Sequence, residues 1–112
     1  MLPKKQRINQ SLFKVVLTKG RSIHSPSLSF RYIKDENLKK SRFSTTVSLK
    51  VSKKATERNL IKRRANAVLV FLKPLLKPGF LGVFFVKKEA NGLDFENLKE
   101  EIAFLLKKAE II

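Results

Sequence analysis

Residues 50–64 read KVSKKATERNLIKRR, with seven Lys or Arg side chains and one acid, Glu57. Apolar residues recur at helical spacing within this stretch and beyond it: Ile61, Ala65, Val68 and Leu72. On a helical projection these four fall within a narrow arc, while Arg63 points away from them. The spacing therefore predicts a helix from about Ala55 to Lys73, with an apolar stripe toward the core and cations around that stripe.

This helix carries more like charge than a solvent-facing helix normally does. A solvated helical face usually interleaves acids with its cations so that pairs form between successive turns, and only Glu57 is available here. Crowded cations repel one another, and a partner dense in phosphates removes that cost by displacing counterions. The stretch therefore favours a polyphosphate partner, although composition alone leaves a ribosome, another nucleic acid and a membrane surface open.

The chain as a whole is basic and apolar enough to fold. Its 112 residues carry a formal net charge of +16 and are 43% hydrophobic, which is too apolar for a disordered basic tail. This length supports one core, so we expect a single domain over residues 1–112. Residues 1–88 hold 22 Lys or Arg and three Asp or Glu, whereas residues 89–112 hold three and six. The last segment is therefore expected to face away from the partner.

The sequence offers little for metal, redox or hydrolytic chemistry. There is no Cys, so disulfides and zinc ribbons are excluded, and His24 alone cannot build an imidazole metal site. Asp35 and Glu36 are adjacent, but neighbouring carboxylates rarely converge on one scissile bond. We therefore expect no catalytic residue and no metal ligand. The longest apolar run, Ala67–Leu72, is too short to span a membrane, so the expected location is cytoplasmic, with no membrane partner.

Three further stretches have the patterns of strands. Residues 28–32 alternate apolar with polar side chains, and residues 43–51 do so more clearly, with one apolar face and one basic, hydroxyl-rich face. Phe80–Val86 is almost wholly apolar, which is typical of a central strand covered on both faces.

Two more helices flank these strands. The first is expected from Ser11 to Gly20, capped by Asn9 or Ser11. After a turn at Asn91–Gly92, the last begins behind Asp94 as N-cap. The resulting order is helix, strand, strand, helix, strand, helix, which predicts an α/β (α+β) two-layer sandwich.

The basic stretch resembles the signature of the protein subunit of bacterial ribonuclease P. In that family a Ser-Lys-Lys segment precedes an Arg-Asn helix that continues as Ile-Lys-Arg-Arg, and this chain has Ser52–Lys54, Arg58–Asn59 and Ile61–Arg64. Supporting landmarks span nearly the whole chain: Lys4–Arg7 before Phe13, Lys19–Ser22, His24–Pro26, Ser41–Phe43 and Pro78–Phe80. Leu60 and Asn66 depart from the family pattern, since cations are usual at both positions, and they weaken the expected RNA-binding face.

The resemblance also implies details of the fold. It implies a central sheet of about four strands with three helices in the order α-β-β-(β)-α-β-α, in which one short strand is added to those that the pattern predicts. It further implies a left-handed βαβ crossover around the basic helix, against the usual right-handed rule.

For function, the resemblance implies the protein cofactor of an RNA-based endoribonuclease that removes 5′ leaders from precursor tRNA. Its partners would be the catalytic RNA, with one protein per RNA, and precursor tRNA; Mg²⁺ would be held mainly by the RNA, with no organic cofactor. The residues expected to bind the catalytic RNA are Lys50, Lys53, Lys54, Arg58, Asn59, Lys62, Arg63 and Arg64. Those expected to bind the leader are Phe13, Leu17, Ser29 and Arg31.

Several alternatives stay open at this stage. Phe13 and Leu17 fit a simple core role as well as a platform for single-stranded RNA, and Asn59 fits an N-cap as well as an RNA contact. At the level of function, the main rival is a structural ribosomal or ribosome-assembly protein, and a third possibility is a protein nuclease that acts alone.

Overall fold

Three α-helices and four β-strands, joined by loops and two short 3-10 helices, form the part of the chain that the computed structural model describes, which is residue 8, residues 10–90 and residues 94–112. In chain order they are α1 (Gln10–Lys19), β1 (Arg21–His24), β2 (Leu28–Lys34), β3 (Arg42–Val47), α2 (Ala55–Leu72), β4 (Phe80–Val86) and α3 (Phe95–Lys108). The predicted order is confirmed, and β1 is the short additional strand that only the resemblance implied. Among the described helices, none has the length and apolar character needed to cross a membrane.

The four strands form one mixed sheet in the order β1-β2-β4-β3. Strand β2 runs antiparallel to both β1 and β4, whereas β3 and β4 are parallel. The apolar strand β4 therefore lies inside the sheet, as its composition predicts. Because β3 and β4 are parallel, the chain must cross over between them, and α2 makes this crossover; the left hand implied for it stays a prediction.

Helices α2 and α3 cover one face of the sheet, called here the α2/α3 face. Helix α2 lies mainly against β3, while α3 contacts α2 and β2. The three rings Phe30, Phe43 and Phe84 are at most 1% exposed on this face. A Cβ at Gly82 would lie 2.4 Å from the Phe30 ring, so this glycine is what lets Phe30 lie flat against β4.

Helix α1 crosses the opposite face, called here the α1 face. It packs on β2 and β4, where Val16, Leu81 and Val83 form a second, smaller cluster. Around that cluster the apolar side chains are only partly buried, Phe13 and Phe85 among them. One helix therefore covers this face less completely than two helices cover the other.

Several predicted boundaries shift. Strand β3 ends at Val47, not at Val51, because a turn closed by the Val51 N–H and the Ser48 carbonyl (3.1 Å) leads into α2. Ser11 lies inside α1 and is not its cap. The N-cap of α3 is confirmed, since the Asp94 carboxylate accepts a hydrogen bond from the Asn97 N–H.

Two further predictions cannot be compared with the structure. The other expected cap of α1, Asn9, lies outside the described residues, and so does the Asn91–Gly92 turn.

Candidate RNA interface

The start of α2 is held by a small network around Ser52. The Ser52 hydroxyl donates to the Glu57 carboxylate and accepts from the Lys54 N–H at 3.2 Å. The Ser52 carbonyl in turn accepts from Nη1 of Arg58 at 2.9 Å. Lys54 is the N-cap residue and offers no side-chain hydrogen bond of its own, so Ser52 and Glu57 order the first turn in its place. The one acid of the stretch is therefore occupied in holding the helix start.

The cations of this stretch surround the ordered helix start. We call the following eight residues the basic α2 surface: Lys50, Lys53, Lys54, Arg58, Asn59, Lys62, Arg63 and Arg64. Arg58 and Arg64 are half-buried and the other six are exposed. Within the described part of the chain, none of the five exposed cations forms an ion pair with a carboxylate. The surface therefore presents uncompensated positive charge on a rigid scaffold, which is what phosphate binding requires.

The exposure of three α2 residues, which the sequence alone does not give, bears on their expected roles. Asn59 lies in the second turn and is exposed, so it is not the N-cap. Leu60 is 44% exposed beside the cations, so a larger charged side chain there would meet solvent and not core. Asn66 is half-buried. The departure at Leu60 therefore adjoins the basic α2 surface.

The four residues expected to bind a leader lie together on the α1 face, and we call them the α1 cleft: Phe13, Leu17, Ser29 and Arg31. All four are half-buried. Nη1 of Arg31 donates to the Leu17 carbonyl at 2.7 Å, which ties β2 to the last turn of α1. The Phe13 ring meets Phe85 edge-on with centroids 6.2 Å apart, and Phe85 is the register partner of Ser29.

Hydrogen bonds hold the polar side chains of the α1 cleft in place. Nε of Arg31 donates to the Ser22 hydroxyl at 2.8 Å, so its guanidinium is fixed at two points. The Ser29 hydroxyl pairs with Nδ1 of His24 at 2.8 Å across the β1-β2 pair. Phe13 packs against the small cluster and stays half-buried, so its core role holds in part, while its role as a platform for RNA stays a prediction.

The candidate residues chosen from sequence omitted the neighbouring strand β3. Arg42, Ser44 and Thr46 lie on the α1 face and are half-buried, and Thr46 is the register partner of Phe85. Because α1 packs on β2 and β4, these three side chains lie beside the helix and not beneath it. The alternation of β3 already indicated a basic, hydroxyl-rich face, but it did not indicate that this face adjoins α1.

Among the described residues, no three His, Cys, Asp or Glu side chains come together in a way that could hold a metal ion. The Asp35 carboxylate accepts from the Asn37 N–H at 3.0 Å, a local turn contact.

Fold and site together define a small basic α+β protein whose longest helix carries a dense cluster of cations. A protein-family model described as Ribonuclease P matches residues 2–110. The chain belongs to the ribonuclease P protein family.

Curated relatives match the chain over nearly their full length. The chain is 38% identical over 112 residues to the ribonuclease P protein component of Synechocystis sp., covering 99% of this chain and 90% of that protein. It is also 38% identical over 119 residues to the ribonuclease P protein component of Synechococcus elongatus, covering 99% and 95%.

Solved structures share the architecture of three helices and a four-stranded mixed sheet. The RNase P protein of Staphylococcus aureus superposes with a TM-score of 0.85 at 20% identity, over 95% of this chain and 96% of that one. The RNase P protein from Thermotoga maritima gives 0.81 at 25% identity, over 91% and 96%. The predicted α+β class, with three helices and a four-stranded sheet, is thereby confirmed; helices cover both faces of the sheet, so it has three layers and not the two expected.

Family membership also gives the general function. The chain is the protein subunit of ribonuclease P, a ribonucleoprotein endoribonuclease of tRNA 5′ maturation in which RNA has the catalytic role. The resemblance noted in the sequence is confirmed, and the ribosomal and lone-nuclease alternatives are set aside.

Proposed function

We propose that the chain binds the catalytic RNA of ribonuclease P through the basic α2 surface and the 5′ leader of precursor tRNA through the α1 cleft. One protein per RNA, acting in the cytoplasm, is part of the same proposal. Neutralised RNA phosphates and a held leader would together raise the rate of leader removal at low Mg²⁺.

The observation that carries the proposal is the uncompensated charge of the basic α2 surface. Five exposed cations stand on a helix start ordered by Ser52 and Glu57, without carboxylate partners among the described residues. A preorganised surface of this kind gains from the release of counterions and loses little conformational entropy on binding. A folded RNA, with phosphates at fixed spacings, is a suitable partner.

The α1 cleft has the mixed chemistry that single-stranded RNA requires. Unpaired bases stack on aromatic or apolar side chains, while cations and hydroxyls follow the backbone. Phe13 and Leu17 supply half-buried apolar surface, and Ser29 and Arg31 lie beside them. Because the Arg31 guanidinium is fixed at two points, it would present its charge without first losing conformational freedom.

In this proposal the Mg²⁺ ion is bound mainly by the RNA. The described residues do not fit a protein-held ion, because no cluster of three possible ligands exists among them, and Mg²⁺ prefers oxygen ligands with near-octahedral geometry. The ion would supply an activated water at the scissile phosphate, while the protein positions RNA around it. No organic cofactor enters the proposal.

Reconstitution tests the proposal directly. The chain is mixed with a bacterial ribonuclease P RNA at low Mg²⁺, and cleavage is followed for a precursor tRNA with a leader of several nucleotides. The expected result is strong stimulation over RNA alone, and a smaller effect with a precursor whose leader is one nucleotide long. Absence of stimulation would contradict the proposal, and so would cleavage by the protein without RNA.

A further inference from the structure

A cavity of about 800 Å³ lies at one end of the sheet, where β1 begins and β2 ends. The C-terminal end of α3 forms another wall of this cavity, through Lys108 and Glu110. None of the residues that line it belongs to the basic α2 surface or to the α1 cleft. Its volume lies within the range of about 300–1,000 Å³ that is usual for small-molecule sites.

The cavity concentrates positive charge from separate parts of the chain. Five of its lining residues are exposed cations: Lys19, Arg21, Lys34, Lys77 and Lys108. Glu110 is the one acid that lines it. In the part of the chain that the structure describes, none of the five cations forms an ion pair with a carboxylate. Such a concave, cationic wall favours an anion, because converging charges in a partly enclosed site raise the local concentration of counterions.

The backbone around the cavity is fixed by close contacts. A Cβ at Gly20 would lie 2.3 Å from the Val16 carbonyl oxygen, so the turn that places Lys19 and Arg21 at the cavity requires glycine. On the opposite wall, Glu110 has a φ of 63°, a left-handed value that turns the chain back after α3. Ile111 is then fully buried, and its carbonyl accepts from the Lys77 N–H at 2.8 Å.

An aromatic stack leads from the core to this cavity. Phe84 stacks on Phe30 with centroids 4.3 Å apart, and Phe30 stacks on Tyr32 at 5.4 Å with an interplanar angle of 14°. Tyr32 is half-buried, lines the cavity and is the last ring of the stack. A planar base entering the cavity would extend the stack by one member, and stacking on an aromatic ring is the usual way in which proteins hold an unpaired base.

We propose that this cavity binds a nucleotide of a single RNA strand, with the base against Tyr32 and the phosphates among the five cations. The same chemistry would accept a free mononucleotide, so the source of the nucleotide is part of the test. The inference goes beyond the proposed function and does not depend on it, since the basic α2 surface and the α1 cleft take no part. It adds a third RNA contact, at the end of the sheet where β1 begins and β2 ends.

The sequence supplies its own reporter for this site. Tyr32 is the one tyrosine of the chain, and there is no tryptophan, so intrinsic fluorescence reports on the cavity alone. The full chain is titrated with uridine 5′-monophosphate, with pentauridylate and with sodium pyrophosphate, and N-acetyltyrosinamide is titrated in parallel to correct for light absorbed by the base. We expect saturable quenching by both nucleotide probes and none by pyrophosphate, which has no base to stack.

The affinity of each probe shows whether the bound nucleotide belongs to an RNA strand or is a free mononucleotide. Tighter binding of pentauridylate than of the monophosphate supports an RNA strand, whereas equal affinity would overturn the strand and leave a free nucleotide as the ligand. Quenching by pyrophosphate as strong as that by the nucleotides would overturn the stacked base. Absence of quenching by any probe would overturn the site.

Point variants distinguish binding of the probe in this cavity from nonspecific electrostatic binding to a basic protein. Arg21→Ala and Lys108→Ala should each weaken pentauridylate binding about two- to fivefold, as expected when one partly exposed charge contact is lost. Lys107→Ala is the matched control, because Lys107 is an exposed lysine on the same turn of α3 that does not line the cavity. Equal losses in Lys107→Ala and Lys108→Ala would overturn the proposal, and far-ultraviolet circular dichroism verifies that each variant is folded.

Discussion

The two faces of the sheet are built from similar residues but differ in how completely they are covered. On the α2/α3 face two helices cover the strands, and Phe30 and Phe84 are fully buried. On the α1 face a single helix covers β2 and β4, and Phe13 and Phe85 stay half-buried. Phenylalanine therefore stabilises the fold on one face and keeps exposed surface on the other. The number of helices that cover each face, and not the residue type, determines this difference.

A matched pair of phenylalanine truncations is the most severe test of this comparison. Phe30→Ala should lower the free energy of unfolding by about 3–5 kcal/mol, because it removes a fully buried ring from a close-packed site. Phe13→Ala should lower it by only about 1–2 kcal/mol, since less apolar surface is lost from a half-buried position. Urea unfolding measures both variants. Equal losses would show that the two faces are covered equally well.

The second test concerns the ligand. Phe13→Ala should weaken binding of precursor tRNA by about 1–3 kcal/mol per stacked base that is lost, and it should leave mature tRNA binding unchanged. The measurement is a competition assay with the two tRNA forms on the assembled protein-RNA complex. If both forms lose affinity equally, Phe13 acts only through the small apolar cluster.

A third test addresses the charge of the basic α2 surface. Arg58 is a poor choice for it, because the bond to the Ser52 carbonyl makes this residue part of the helix start. Lys62→Ala with Arg63→Ala removes two exposed cations and should reduce the slope of log affinity against log salt by about 1.4 to 1.8. Affinity for ribonuclease P RNA is measured over a salt titration, with Lys107→Ala as control. An unchanged slope would place the RNA elsewhere on the protein.

The smallest expected effect is a gain of one phosphate contact on α2. Leu60 is 44% exposed beside these cations, so Leu60→Arg should add one phosphate contact and steepen the salt slope by about 0.7 to 0.9. Leu60→Gln is the uncharged control and should leave the slope as it is. A steeper slope in both variants would mean that the removal of leucine, and not the added charge, causes the change.

Much of the fold could be predicted because its signals are local. The α2 stripe and the apolar run of β4 each specify an element from a few adjacent side chains. Strand β1 was missed because four residues, Arg21–His24, are too few to show alternation, and its place at the sheet edge follows from pairing with β2. The end of β3 was misjudged because Val51 is buried by a turn and not by a strand.

The candidate sites were predictable to different degrees. The basic α2 surface is continuous in sequence, so its cations could be identified together. The α1 cleft was named from a resemblance, and the contribution of Arg42, Ser44 and Thr46 depends on which strands α1 covers. The cavity at the end of the sheet could not be anticipated, because its five cations range from Lys19 to Lys108 and only the fold brings them together.

The position of Lys108 at this cavity also revises the expectation for the C-terminal segment. Its acidic balance suggested that residues 89–112 face away from the partner; α3 packs against α2, on the face opposite α1, and the expectation stays untested. Net charge, however, averages over the segment. Lys108 lies at the far end of α3 and lines the cavity, so one end of an acidic segment still contributes a cation to the basic wall.

The strand order has a consequence for how the chain reaches its native state. Strands β2 and β3 precede β4 in sequence, but β4 lies between them in the sheet. During synthesis the first three strands therefore cannot assemble into their final arrangement until Phe80–Val86 has left the ribosome and inserted itself into the gap. Until then this apolar segment is unpaired, and such segments promote aggregation while long-range pairing is slow. Insertion of β4 should thus be the late, rate-limiting step of folding, and its timing would determine how much newly made protein is lost to aggregation.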